Sequence, residues 1–230
     1  LFSFPFALGS GANAKEEAVM SDELVFYTHP MSRGRIARWM LEEVGKPYRT
    51  EILDYGGKMK SPEYLAINPM GKVPAIRHGD TVVTEGAAIC AYLADAFPEV
   101  GLAPPHGSKD RAPYYRWLFF AAGPVEAASI NGMLGVVVKP EQERMAGYGC
   151  MAHVVDALEG AVKGREYIAG DRFSAADVYV GAQMGWGMQF GWLEKRPAFV
   201  DYFERLNARP AAIRAREIDD ALVPAPAAAS

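Results

Sequence analysis

Apolar and polar positions run in two rhythms along this chain, and the change between them divides it. Leu24-Val25-Phe26-Tyr27-Thr28 is a short β-favouring run stopped by His29-Pro30. From Arg33 the rhythm turns helical: Ile36, Ala37, Met40, Leu41 and Val44 make one apolar stripe, closed by Gly45 and Pro47. Tyr48–Leu53 predicts a second strand. Strand, helix and strand with short joints form a βαβ unit, so the two strands should be parallel. Beyond a loop carrying Gly56, Gly57, Lys58 and Lys60, Ser61-Pro62 opens a short helical piece that ends at Asn68-Pro69. Val73–Arg77 and Thr81–Thr84 then flank His78-Gly79-Asp80, a hairpin signal. A helix is expected from about Glu85, with Ile89, Tyr92, Leu93, Ala96 and Phe97 on one face and Thr84 as its N-cap.

Prolines and glycines at Pro98, Gly101, Pro104, Pro105 and Gly107 break the pattern. No strand-like alternation returns after them. Tyr114–Ala128, Glu141–Val162, Ala175–Gln189, Pro197–Asn207 and Ala211–Asp220 all read as helices. The expected organisation is an α/β domain over residues 23–100 (βαβ, then ββα), a linker over 101–110 and an all-α domain over 111–221. Ser174-Ala175-Ala176-Asp177 resembles a capping box, with Phe173 and Val178 placed as its hydrophobic staple. In the run Met184–Trp192, Gly185, Gly187 and Gly191 would each cost a helix about 1 kcal/mol relative to alanine, which close helix packing explains better than a ligand box.

Composition narrows the class. Half of the 230 residues are apolar and 23% are charged, the balance of an ordinary globular chain. A net charge of −4 gives no basic excess for a general nucleic-acid binder. No apolar run reaches the ~18–20 residues of a membrane span. Cys90 and Cys150 are too few for a disulfide framework, which fits a reducing, cytoplasmic setting. Cys90 falls on an apolar helix face, Cys150 has no evident partner, and no metal site is expected from the scattered His29, His78, His106 and His153. Residues 1–22 read as an N-terminal extension rather than a secretory signal, because no basic segment precedes the apolar run. Residues 222–230 read as a disordered Ala/Pro/Ser tail.

The chemistry gathers at Asn68-Pro69-Met70-Gly71-Lys72-Val73-Pro74, followed by Glu85-Gly86. Pro74 lacks a ladder donor and belongs at a strand entry. A cis Val73–Pro74 bond would turn the Val73 N–H and C=O outward, where an extended peptide could pair with them. Its carboxylate would reach the helix start at Gly86 and Ala87, and Glu85 would take the ammonium beside it. Such a site suits a small peptide with an α-amino-acid head.

On these motifs, with Phe173-Ser174-Ala175-Ala176-Asp177 further on, residues 23–218 resemble the glutathione S-transferase superfamily, close to its Ser-type bacterial and fungal members. The resemblance implies a thioredoxin-like first domain and a helical second one. It implies that Val73 and Pro74 hold the cysteinyl backbone of glutathione, that Lys72 lies near the glycyl end, and that Glu85 and Gly86 hold the γ-glutamyl group. The family usually has Ser where this chain has Gly86. It also implies a homodimer, a detoxifying transferase activity and no metal.

Within that family a hydroxyl or thiol near the first helix start faces the glutathione sulfur. The run Ser32-Arg33, then Trp39-x-Leu41-Glu42-Glu43, aligns Ser32 with that role, with Thr28 and Tyr27 as alternatives. Arg33, Arg35 and Arg38 read either as positive potential around a dianionic tripeptide or as a solvated basic face. Tyr115 and Phe119, one turn apart, are the expected wall for an apolar electrophile. The resulting expectation is conjugation of a glutathione thiolate to that electrophile. Glutathione-dependent peroxide or disulfide reduction, and a non-catalytic binding module, are the alternatives.

Overall fold

A computed structural model describes residues 23–223. The expected extension over 1–22 lies outside them, as does the expected tail over 222–230 apart from Leu222 and Val223, whose N–H groups donate to the Asp219 and Asp220 carbonyls at 3.1 and 3.2 Å. The first domain runs β1 (Leu24–Thr28), α1 (Gly34–Val44), β2 (Arg49–Ile52), α2 (Pro62–Leu65), β3 (Ala75–His78), β4 (Thr81–Thr84) and α3 (Gly86–Ala96). Its sheet has the order β2-β1-β3-β4, with β1 and β2 parallel and β3 antiparallel to both β1 and β4. Strand alternation sends Phe26 into the main core, where α1 and α3 also pack, and Tyr27 to the opposite face against Leu53, Met59 and Tyr64. The stripe read from the sequence is buried as expected: Ile36, Ala37, Met40 and Leu41 are all within 1% of complete burial.

Two expectations in this domain shift. Pairing of β3 begins at Ala75 rather than Val73, since Pro74 has no N–H to give to a ladder. Thr84 does not cap α3 either; it remains paired with Ala75, and the capping position falls to Glu85.

The helical domain holds α4 (Arg111–Phe120), α5 (Glu126–Met133), α6 (Met151–Val162), α7 (Ala175–Phe190), α8 (Pro197–Asn207) and α9 (Pro210–Ala221). The helix expected over Tyr114–Ala128 is longer, because α4 and α5 are joined through a π-helical stretch at Ala121–Val125. That stretch contains Pro124, which cannot donate to a regular helix ladder. The helix expected over Glu141–Val162 is shorter. Only a 3-10 turn at Pro140–Gln142 precedes α6, and Gly149 at φ +67° reverses the chain just before it.

Helix α7 is the central element, packed on α1, α3, α4 and α8. Its start is built as the sequence suggests. The buried Asp177 carboxylate accepts from the Ser174 N–H (2.9 Å) and hydroxyl (3.1 Å), the Ile168 N–H (2.8 Å) and the Tyr202 hydroxyl (2.6 Å). Its glycines are closely covered. A Cβ at Gly181 would meet Leu206 at 2.7 Å, and one at Gly185 would meet Phe203 at 2.3 Å.

Gly185→Ala should therefore cost about 1–3 kcal/mol through overpacking. Gly160→Ala in α6, where a Cβ meets nothing within 4 Å, should gain about 0.5–1 kcal/mol. Urea denaturation of the pair checks this; equal effects would contradict the packing account.

Candidate active site

Register brings the pieces of the site to one place. Tyr27 lies opposite Ala75, and Ala75 opposite Thr84. Strands β1 and β4 consequently end, and β3 begins, at the same end of the sheet. Ser32, Val73 and Glu85 each lie within a few residues of that row, and α1 and α3 both start from it.

The loop before β3 is shaped by its own side chains. Asn68 is buried, and its Nδ2 donates to the Lys72 carbonyl at 2.8 Å while its Oδ1 accepts from the Met70 N–H at 3.1 Å. The Tyr64 hydroxyl donates to the same Lys72 carbonyl at 2.6 Å. Gly71 sits at φ +55°, with the Lys60 ammonium and the Met59 carbonyl where a Cβ would go. The Val73–Pro74 bond is cis. Neither the N–H nor the C=O of Val73 has a partner among the described residues. A strand-like edge one residue long is thus left for an extended ligand.

Across the row, Glu85 is the one non-glycine residue with positive φ among the described residues (φ 68°, ψ 120°). A residue held there costs of order 1–3 kcal/mol, and such strain concentrates at functional sites. The conformation leaves the Gly86 and Ala87 N–H groups free at the start of α3, where the helix dipole favours an anion. Lys72 and Glu85 are exposed and enter no ion pair among the described residues. Gly86 has its own explanation: a Cβ would come to 3.1 Å from Cε2 of Tyr179 in α7. The ring of Tyr179 crowds that position, so a side chain there would require it to shift by a few tenths of an ångström, and burial pushes its phenol up to about 12, so it stays protonated.

The three candidate hydroxyls separate cleanly. Thr28 is completely buried, and its Oγ1 has no hydrogen-bond partner; it lies beneath the first turn of α1, 1.9 Å from where a Gly34 Cβ would stand. Tyr27 packs on the α2 side of the sheet, its ring 5.6 Å from that of Tyr64. Ser32 alone stands half-exposed at the α1 start. Its Oγ donates to the His29 carbonyl at 2.7 Å and accepts from the Gly34 N–H at 2.9 Å.

The arginines fit neither expectation. Arg33 pairs with Glu126 of α5, Arg35 with Asp220 of α9 at 2.7 Å, and the buried Arg38 with Asp219 of α9 at 3.2 Å. All three are braces to the helical domain. The Arg33 brace brings residues that sequence reading missed: Gln183 donates to Glu126 at 3.3 Å, and Trp186 lies beneath the Arg33 guanidinium at 5.8 Å. Only the unusual glycine-rich surroundings of Trp186 hinted at it. Tyr115 lies at the α3–α4 seam, its hydroxyl accepting from Arg111, which also grips Asp95. Phe119 is 73% exposed, further along α4. Among the described residues no hydrogen bond ties either residue to Ser32. Cys90 is fully buried, and burial pushes its thiol well up, which leaves it inert.

Comparison with known proteins accords with this geometry. The glutathione S-transferase N-terminal domain profile matches residues 31–96, and the C-terminal domain profile of the same family matches residues 112–210. Glutathione S-transferase F10 of Arabidopsis thaliana is 30% identical over 165 residues, 64% of this chain and 73% of that protein. Glutathione S-transferase GST-4.5 of Xanthomonas campestris is 38% identical, but over 74 residues, 32% of this chain and 36% of its own length. Among solved structures, a glutathione transferase from Methylococcus capsulatus superposes with a TM-score of 0.71 at 31% identity, covering 86% of this chain and 99% of that one. A sphingomonad glutathione S-transferase complexed with glutathione gives 0.70 at 28% identity, covering 85% and 98%. The chain belongs to the glutathione S-transferase family.

Thr28→Val removes a buried, unpartnered hydroxyl without changing shape, so it should leave stability unchanged or raised. Turnover with glutathione should stay within about twofold of the parent. A large loss of turnover would return Thr28 to the list of catalytic groups.

Proposed function

We propose that this glutathione transferase binds glutathione along Val73, holds it as a thiolate beside Ser32, and conjugates it to an apolar electrophile. The observation that carries the reading is the common row: unpaired Val73 backbone, free α3 start and half-exposed Ser32 meet at one sheet end. The cysteinyl backbone pairs with Val73 as a one-residue strand beside Pro74. The γ-glutamyl carboxylate takes the Gly86 and Ala87 N–H groups, and its ammonium takes Glu85. The exposed Lys72 ammonium serves the glycyl carboxylate.

The chemical step asks for modest stabilisation. A free thiol ionises near pH 8.5, and lowering that by about two units requires roughly 2.7 kcal/mol. Ser32 supplies it by turning its hydroxyl hydrogen from the His29 carbonyl to sulfur. The Gly34 N–H bond keeps Oγ in place during that turn and strengthens it as a donor. The start of α1 adds its dipole. With the thiol proton released to solvent, the thiolate attacks the electrophile and forms the S–C bond; in a substitution the leaving group departs with its bonding pair, and in an addition the π pair moves to the adjacent atom, which takes a proton from solvent. The α4–α5 rod carries the electrophile's wall through the exposed surfaces of Tyr115 and Phe119. Reduction through a mixed disulfide has no protein thiol beside Ser32 to run on.

The described residues contain no helix long and apolar enough to cross a membrane. A cytoplasmic homodimer acting in detoxification is the setting this reading carries.

Ser32→Ala should raise the pKa of bound glutathione by about one to two units and lower kcat about a hundredfold. Its KM for glutathione should stay within about twofold. Thiolate absorbance against pH reads the first effect, and intact absorbance with intact turnover would remove Ser32 from the mechanism. Glu85→Ala should weaken glutathione about tenfold to a hundredfold by calorimetry, the scale of a lost charged hydrogen bond. Unchanged affinity would mean the γ-glutamyl group sits elsewhere.

A further inference from the structure

Between α5 and α6 the chain runs from 134 to 150 with one 3-10 turn as its only regular structure. It is folded back on itself locally. The Gln142 carbonyl accepts from the Met145 and Ala146 N–H groups, and the Gly149 N–H donates to Ala146 at 2.8 Å. Gly149 then turns at φ +67°, and Cys150, in extended conformation, stands at the N-cap position of α6 without a side-chain cap bond. Cys150 and His153 are three apart at that helix start and share a face. The reversal lays Glu143 against them. One ligand atom each from Glu143, Cys150 and His153 lies within 4.8 Å of the other two.

None of these three side chains makes a hydrogen bond or ion pair among the described residues. A carboxylate, a thiol and an imidazole are thus drawn together with none of their donor atoms committed to the protein, which leaves all three available to one ligand. Their chemistry says what would. Sulfur, nitrogen and oxygen together suit zinc and its neighbours rather than calcium or magnesium, which want oxygen alone. Bonds of 2.0–2.3 Å in a tetrahedron put ligand atoms about 3.3–3.8 Å apart, so the set has to close by only about 1 Å from the 4.8 Å within which its atoms lie. A Cβ at Gly149 would stand 3.3 Å from His153 Nδ1, so the bare glycine keeps that ring unobstructed. Cys150 also borders an apolar cavity of about 510 Å³ with Met133, Val137, Tyr148, Phe190 and Trp192, which leaves room for a fourth ligand beside the sulfur.

We infer that Glu143, Cys150 and His153 form a binding site for a zinc-class divalent cation, separate from the glutathione site. The bound ion would tie the irregular segment to the start of α6. Binding forms a metal–sulfur bond as the Cys150 thiol releases its proton to solvent.

The test uses the full chain, stripped with a chelator and free of glutathione, titrated with cobalt(II) and then zinc(II). One equivalent of cobalt should produce a near-ultraviolet thiolate-to-metal band together with visible four-coordinate bands, and zinc should bleach both. C150S should abolish the thiolate band, and E143Q and H153Q should each weaken cobalt at least tenfold. C90A should bind as the parent does, and circular dichroism should show every variant folded. Absence of the band at one equivalent, its survival in C150S, or parental affinity in either E143Q or H153Q overturns the inference.

Discussion

One strand register governs everything the first domain can do. With Tyr27 opposite Ala75 and Ala75 opposite Thr84, three chain segments of different origin arrive together at one end of the sheet. A slip by one residue would turn every side chain of a strand to the other face and part Val73 from Glu85. The alternation of faces makes such a slip costly. Phe26 and Ile76 are completely buried in the main core, while Tyr27 and Ala75 close the smaller cluster over Met59 and Tyr64. Burial of the strands thus fixes where main-chain groups are left over, and the proposed peptide site is built on those groups.

The helical domain holds that end of the sheet in position. It does so partly through packing of α7 on α1 and α3, and partly through charge. Glu43 of α1 takes Arg209 in two hydrogen bonds at 2.7 and 2.8 Å, and the same glutamate accepts from Trp39 at 2.9 Å. Arg38 lies buried between α1 and α9, its guanidinium over the rings of Phe26 and Tyr48 at 4.9 and 5.5 Å. Burial, with Glu42 beside it, pushes the Tyr48 phenol up to about 12, so that hydroxyl remains a donor to Glu42 at 2.6 Å. Buried ion pairs add little net stability against their desolvation. Their consequence here is orientation: breaking one leaves a charge stranded, so α9 has one favourable seat on α1. The α1 start, with Ser32 and Arg33, inherits that precision.

Much of this was legible in the chain itself. The helical stripe of α1, the hairpin around Gly79 and the capping box at Ser174 follow local rules with one dominant cause each. Gly185 and Gly187 likewise announce close packing, since helical glycine is otherwise only a cost. The cis bond before Pro74 and the turn into a helix at Glu85 follow from a motif that coincides with a family pattern, and the proposed peptide frame rests on both. What escaped depended on distant partners. Arg33, Arg35 and Arg38 look alike in sequence, and only the folded chain shows each facing its own acid in α5 or α9. Gly86 looked like a missing hydroxyl until Tyr179 appeared in its space. Helix content over 141–150 was overestimated because apolar periodicity there was read through Gly147 and Gly149. Cys150 seemed solitary because Glu143 reaches it by a reversal at Gly149.

The most direct measurement of the central claim is amide hydrogen exchange, followed residue by residue as glutathione is added. The Val73, Gly86 and Ala87 N–H groups, all unpaired in the free chain, should gain protection together and saturably, while that of the already paired Ile76 should not change. Protection that develops elsewhere, with Val73 and Gly86 exchanging as before, would contradict the account.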